Sequence, residues 1–146
     1  MRIQPFRVLR GIPIRPAQTA LLQTDGSYGA KYQPLSRTAS LLINHKGEQF
    51  TYSQVYDNHT DSTESEWCSV LDGIQFAIEK GEWAIELEND NTEVIRCISL
   101  DSIPKRPHIA EYHEAIYNHI NTLEYFSIRW IPRRFNAADG IFRLPR

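Results

Sequence analysis

The chain has 146 residues, which suits one compact domain with a single core and leaves little room for a second. Its 16 basic and 18 acidic side chains give a net charge of −2, so affinity for a polyanion must come from where the charges lie, not from their sum. No apolar run approaches the roughly 18 residues of a membrane span, and MRIQPFRVLRGIPIRP lacks the apolar stretch and cleavage site of a secretory signal, so a cytoplasmic location without membrane contact is expected.

Pro5, Pro13 and Pro16 punctuate the opening, so residues 1–18 read as an arginine-rich arm, with a short edge strand possible over 6–9, ahead of a domain over 19–146. Residues 19–24 (TALLQT) form a short apolar run that ends in the turn signal Asp25-Gly26. A second strand is expected over 38–44 (TASLLIN). After a turn at Lys46-Gly47, a third follows over 48–56, patterned by Phe50, Tyr52 and Val55. Three strands joined by short connections imply an antiparallel meander.

Helical spacing begins after the polar cluster at 58–63, where Trp67, Val70, Leu71, Ile74 and Ile78 recur at intervals of three and four. Ser62 or Thr63 is the expected N-cap and Gly81 the stop, which places Glu66 in the first turn. A strand over 83–87 (WAIEL) and a short helix over 89–99 follow, with Val94, Ile95 and Ile98 inward and Asp90 at the junction. Beyond the proline-broken loop 101–108 come a helix over 109–123, a strand over 125–131 (YFSIRWI) and a tail that is helical around 137–142. Cys68 and Cys97 fall in separate helices without CxxC spacing, so both read as buried free thiols.

The charges are segregated. The first eighteen residues carry Arg2, Arg7, Arg10 and Arg15 and no acid; the last eighteen carry Arg129, Arg133, Arg134, Arg143 and Arg146 against Asp139 alone. Both ends are therefore suited to touching phosphate, while the acidic middle supplies metal ligands. Four acids stand in distinct settings: Asp25 in TDGSYG, Glu66 in STESEWCSVLDGI, Asp90 in IELENDNTEVI and Asp139 in RWIPRRFNAADGIFR. Carboxylates drawn from distant segments suit two hard divalent cations, and such a pair drives phosphodiester chemistry. Taken singly, Glu66 is equally a charge complementing a helix dipole and Asp90 a helix cap.

The order of elements and these four settings together resemble the type 1 ribonuclease H family, from about Ala20 to Phe142. Thr24-Asp25-Gly26-Ser27 matches the family's first aspartate. The segment from Ser65 to Ile74 follows its AEYxALxxGL-like helix, Asp90 with Val94 four residues on fits its second aspartate, and the run from Trp130 to Asp139 is similar to WVPRxxNxxAD, one residue shorter between Asn136 and Asp139. The resemblance implies a ribonuclease H-like α/β fold with a five-stranded mixed sheet, three strands antiparallel and two parallel, flanked by helices. It implies an endoribonuclease that cuts the RNA strand of RNA/DNA hybrids, leaving 5′-phosphate and 3′-hydroxyl ends. Asp25, Glu66, Asp90 and Asp139 would hold two Mg²⁺ ions, or Mn²⁺ in their place: Asp25 bridging both, Asp139 on the ion that activates water, Glu66 and Asp90 on the ion at the leaving oxygen. Gly26, Ser27, Ser62, Thr63, Arg133, Arg134 and Asn136 would contact substrate, and the protein would act as a monomer.

Three features depart from the better-known bacterial pattern. No histidine lies shortly before Asp139, where Arg134 or Asn136 is the available substitute, and the five histidines, His113 among them, fall in other segments. Ser62 and Thr63 stand where the family carries two asparagines that read 2′-hydroxyls. The loop 101–108 is too short for a basic protrusion and carries only Lys105 and Arg106, so the arginine-rich arm is the candidate grip on hybrid. Two other readings keep the fold: a hybrid-binding domain with weak or no catalysis, and a structure-selective DNA nuclease.

Overall fold

The computed structural model describes residues 6–29 and 35–141. Six strands, β1 (Phe6–Arg10), β2 (Ala20–Tyr28), β3 (Ser36–Ile43), β4 (Gln49–Tyr56), β5 (Ala84–Asn89) and β6 (Tyr125–Trp130), form one sheet in the order β1-β6-β5-β2-β3-β4. The helices are α1 (Ser62–Glu79), α2 (Thr92–Ser99), α3 (Pro107–Ile120) and the short α4 (Ala138–Ile141), which follows a 3-10 turn at Arg133–Phe135. β2, β3 and β4 make the expected antiparallel meander, and β2-β5 and β5-β6 are parallel.

The sheet has six strands rather than five. β1, expected inside an arm, pairs antiparallel with β6 from Phe6↔Arg129 to Arg10↔Phe126, and Leu9 packs on the core. A lone pentapeptide with two arginines gives little periodic signal, whereas an open β6 edge gives it a ladder to join. The second difference is β2, which runs past Asp25-Gly26 to Tyr28. The Asp-Gly pair is not a turn, because β3 satisfies it across the ladder, Asp25↔Ala39 and Gly26↔Thr38.

Glycine explains how α1 reaches the sheet. A Cβ on Gly73 would strike Thr24 Cγ2 and lie 3.0 Å from Ser40 Oγ, so the bare helix surface is what lets α1 lie on β2 and β3. By strand alternation, Leu22, Thr24 and Gly26 then face α1, while Leu21, Gln23 and Asp25 face the other side. The core of Leu22, Leu42, Trp67, Val70, Ile74, Ile85, Leu87, Ile95, Ile98, Ile116 and Phe126 is fully closed to solvent. At roughly 1.5–3 kcal/mol per buried large apolar side chain, this layer is the main source of stability. Asp72, on the inner face of α1, accepts from Thr38 and Tyr56 hydroxyls, each at 2.7 Å, and so ties the helix to β3 and β4. Cys68 and Cys97 are buried and unpaired, as expected, with burial pushing the Cys68 thiol up to about 12.

The caps of the two helices near the acids matter for the cleft, and that of α1 differs from expectation. Asp61, not Ser62 or Thr63, caps α1 by accepting from the Glu64 amide at 3.0 Å, which puts Glu66 in the second turn. Asn91 caps α2 through the Val94 amide at 3.0 Å, so Asp90 is not consumed as a cap. No helix among the described residues is long and apolar enough to cross a membrane.

Candidate active site

Parallel strands leave a crevice beyond their carboxyl ends wherever neighbouring chains diverge, and here that point lies between β2 and β5. Their register ends at Gln23↔Glu88, after which β2 continues along β3 while β5 gives way to α2. Asp25 lies just past the divergence on β2 and Asp90 just past it after β5. Glu66 reaches the same place from α1. A Cβ on Gly26 would collide with the Ser65 carbonyl oxygen and lie 2.6 Å from its carbon and 2.8 Å from Glu66 N, so only glycine lets the helix come this close. One ligand oxygen from each of Asp25, Glu66 and Asp90 lies within 4.8 Å of the others.

The fourth acid arrives from the opposite layer. Asp139, on α4, lines the same cleft of about 490 Å³ together with Asp25, Gly26, Ser27, Ser62, Glu66, Asp90, Asn91 and Arg133. It lies against Asp25, to which it is hydrogen-bonded, and its Oδ1 is 3.6 Å from Arg133 Nη2.

Placing like charges in a partly dry cleft raises their proton affinity. Burial, then the charges of Asp90 and Asp139, push Asp25 up to about 7. Burial, then the charges of Asp25 and Asp90, push Glu66 up to about 8. Asp90 is also raised, by burial first, although Arg133 and Asn136 draw it back. The Gly26 amide is the fixed donor between the first two acids, 3.0 Å from Asp25 Oδ1 and 3.1 Å from Glu66 Oε1. This set of oxygen donors, one buried and the others partly so, at odds with one another and open to solvent on one side, suits a hard divalent cation.

The seven residues expected to contact substrate divide. Gly26, Ser27, Ser62 and Arg133 line the cleft, and the Arg133 side chain is 74% exposed at its mouth. Thr63 lines a different hollow, with Trp67, Arg96 and Arg106, because successive helical residues point about 100° apart. Arg134 stacks on the Phe135 ring at 4.8 Å, outside the lining. Asn136 is 4% exposed and lies behind the lining, where it donates to the Thr24 carbonyl, accepts from the Ala138 amide and bonds the Asp90 carboxylate. Asn91 was not expected in the cleft; its one sequence signal is its position after Asp90 at a helix start. His113 is buried beside Asp101, 3.3 Å away, and takes no part in the lining.

Gly26→Ala is expected to force α1 off β2, cost about 1–3 kcal/mol in denaturant unfolding, and separate Glu66 from Asp25. Unchanged stability in urea would show that the close approach is not tight.

The model of the family described as reverse transcriptase-like matches residues 23–139, which include all four acids. No curated protein sequence matches the chain. Solved structures do: RNase H1 from the halophilic archaeon Halobacterium salinarum NRC-1 superposes with a TM-score of 0.73 at 16% identity, over 82% of this chain and 90% of that one. LC11-RNase H1 in complex with RNA/DNA hybrid matches with a TM-score of 0.70 at 19% identity, over 83% and 91%. The foamy viral protease-reverse transcriptase in complex with dsDNA matches with a TM-score of 0.67 at 17% identity, over 88% and 95%. At such identities the superpositions establish the ribonuclease H-like α/β fold, and the matched model establishes the family: the chain belongs to the reverse transcriptase-like family with a ribonuclease H-like fold.

Proposed function

We propose that this domain is a metal-dependent endoribonuclease that hydrolyses the RNA strand of RNA/DNA hybrids, leaving 5′-phosphate and 3′-hydroxyl ends. The observation that carries the reading is the convergence of Asp25, Glu66 and Asp90 within 4.8 Å, with Asp139 in the same cleft. Two of these acids are held well above the ordinary carboxylate range, the electrostatic signature of a site built for positive charge. Binding of hybrid by a solved structure of the same fold supports the choice of substrate.

Asp25, Glu66, Asp90 and Asp139 would hold two Mg²⁺ ions, with Mn²⁺ as a substitute. When bound, such a pair supplies a water nucleophile at neutral pH and charge stabilisation for the leaving oxygen. The chain's own residues do the rest. The Gly26 amide orients Asp25 and Glu66, Ser27 and Ser62 place hydroxyls along the wall of the cleft, and Arg133 offers an exposed guanidinium for a phosphate oxygen. RNA is told from DNA by contacts to 2′-hydroxyls, for which these two serines are the nearest groups. The domain is proposed to act as a monomer in the cytoplasm.

The test is one sequence presented as RNA/DNA hybrid, duplex RNA, duplex DNA and branched DNA, with Mg²⁺ or Mn²⁺. Cutting confined to the RNA of the hybrid is expected. Cutting of branched or duplex DNA would instead identify a DNA nuclease of the same fold, and hybrid binding without cleavage in either metal would identify a binding domain.

A further inference from the structure

Where β5 ends, the Thr24 carbonyl of β2 loses the strand neighbour that would have bonded it, and two side-chain amides take its place. Asn89 Nδ2 donates to it at 3.0 Å and Asn136 Nδ2 at 2.9 Å, both buried. The other ends of these amides are also engaged. Asn89 Oδ1 accepts from the Asn91 amide at 2.7 Å, and Asn136 Oδ1 accepts from the Ala138 amide at 3.1 Å. A third amide closes the set from below: Gln23 Oε1 accepts from the Ala137 amide at 2.9 Å while its Nε2 donates to Glu88 at 2.8 Å. One carbonyl thus joins three segments far apart in the chain. Each carries an acid next to its bonded atom: Asp25 after Thr24, Asp90 after Asn89, Asp139 after Ala138.

The need for such a clasp follows from charge. Four carboxylates in one cleft push their backbones apart, and an apolar core restrains only the segments that contribute to it. β2 and β5 are anchored by Leu22, Ile85 and Leu87. α4 is four residues long and among them only Ala138 is buried, so little but hydrogen bonding holds Asp139 against Asp25. Buried amide-to-carbonyl bonds whose partners are all paired are stiff, because breaking one strands a polar group away from water.

We propose that Asn89 and Asn136 are positioning residues that set the spacing of Asp25, Asp90 and Asp139 through the shared Thr24 carbonyl, with Asn136 governing the ion that depends on Asp139. This rests on the two-ion reading above. Asn136 touches neither the reacting atoms nor substrate; its influence passes through the placement of α4 and, to a lesser degree, through its hydrogen bond to the Asp90 carboxylate.

The experiment is a Mn²⁺ titration of the full chain without nucleic acid, with free Mn²⁺ read by electron paramagnetic resonance so that ions are counted and ranked by affinity. Asn136→Ala is expected to weaken the second ion by about tenfold or more, the usual effect of removing an outer support of a metal site, and the tighter ion by clearly less, since Asn136 also bonds the Asp90 carboxylate. Asn136→Ser, which keeps an acceptor for the Ala138 amide but falls short of the Thr24 carbonyl, should behave alike. Tyr56→Phe, which deletes a buried hydrogen bond to Asp72 outside the cleft, should leave both affinities in place. A folded Asn136→Ala or Asn136→Ser protein that binds both ions as before would overturn the proposal. So would equal weakening by Tyr56→Phe, or unfolding of both Asn136 variants, either of which would make the amides general supports of the fold. Absence of Mn²⁺ binding by the unaltered chain would instead sink the metal-dependent reading, and the positioning role with it.

Discussion

Asp25→Asn is expected to lower the proposed hybrid cleavage by about a thousandfold or more, and at the same time to make the metal-free protein harder to melt. The two effects have one origin. Asp25 is 6% exposed, lies between Glu66, Asp90 and Asp139, and is pushed up to about 7 by burial and by the charges of Asp90 and Asp139. Ionising it at pH 8 therefore costs folding free energy that the unfolded chain does not incur. Asparagine keeps the shape and the acceptor for the Gly26 amide without the charge. Allowing for screening and for relief by its neighbours, the gain is about 2 kcal/mol, roughly 5 °C in melting temperature for a domain of this length. Cleavage rate and thermal melting measured on one preparation decide the matter. A variant that is inactive and less stable would mean that Asp25 is a structural acid, and an active variant would remove it from the site.

The second large effect is a reversed dependence of stability on pH. A carboxylate whose folded pKa is lowered stabilises a protein as pH rises, but Asp25 and Glu66 are raised, to about 7 and about 8. Between about pH 4 and pH 8 the folded chain holds protons at these two sites that the unfolded chain has released. Their contribution to stability therefore declines as pH rises through that window and is lowest above it. Divalent cations bound as proposed would displace those protons. Mg²⁺ at roughly a hundred times its dissociation constant should add about 3 kcal/mol at pH 8 and much less at pH 5, where it competes with bound protons. Urea unfolding at the two pH values, with and without Mg²⁺, reads this directly. An equal gain at both would place the ion on other ligands.

How much was legible in the sequence depended on what kind of information each feature needed. Asp25, Glu66, Asp90 and Asp139 were legible because each sits in a run whose neighbours constrain it, and the structure places all four in one cleft. The helix over α1 was legible from Trp67, Val70, Ile74 and their spacing. The end of β2 was not, since Asp-Gly reads as a turn in isolation and becomes strand only when β3 supplies the partner. β1 was visible only as a possibility, because its reason for existing is the free edge of β6, more than a hundred residues away. The burial of Asn136 was hidden for a similar reason. A polar residue in an arginine-rich loop reads as exposed, and nothing local says that the Thr24 carbonyl needs a donor. Thr63 shows the finer limit, since one residue of helical rotation from Ser62 was enough to point it into a different hollow.

The clasp on Thr24 also bears on the order in which the molecule forms. Its bonds span 65 and 112 residues, whereas β2, β3 and β4 of the meander are near neighbours along the chain. Long closures are entropically late, so the hairpins and α1 have the means to form first and the cleft is completed near the end of folding. A ligand whose site is complete only once these late contacts form has little purchase on the folding barrier. Its stabilisation falls on the reverse step, so a bound cation acts as a brake on unfolding rather than as an aid to folding.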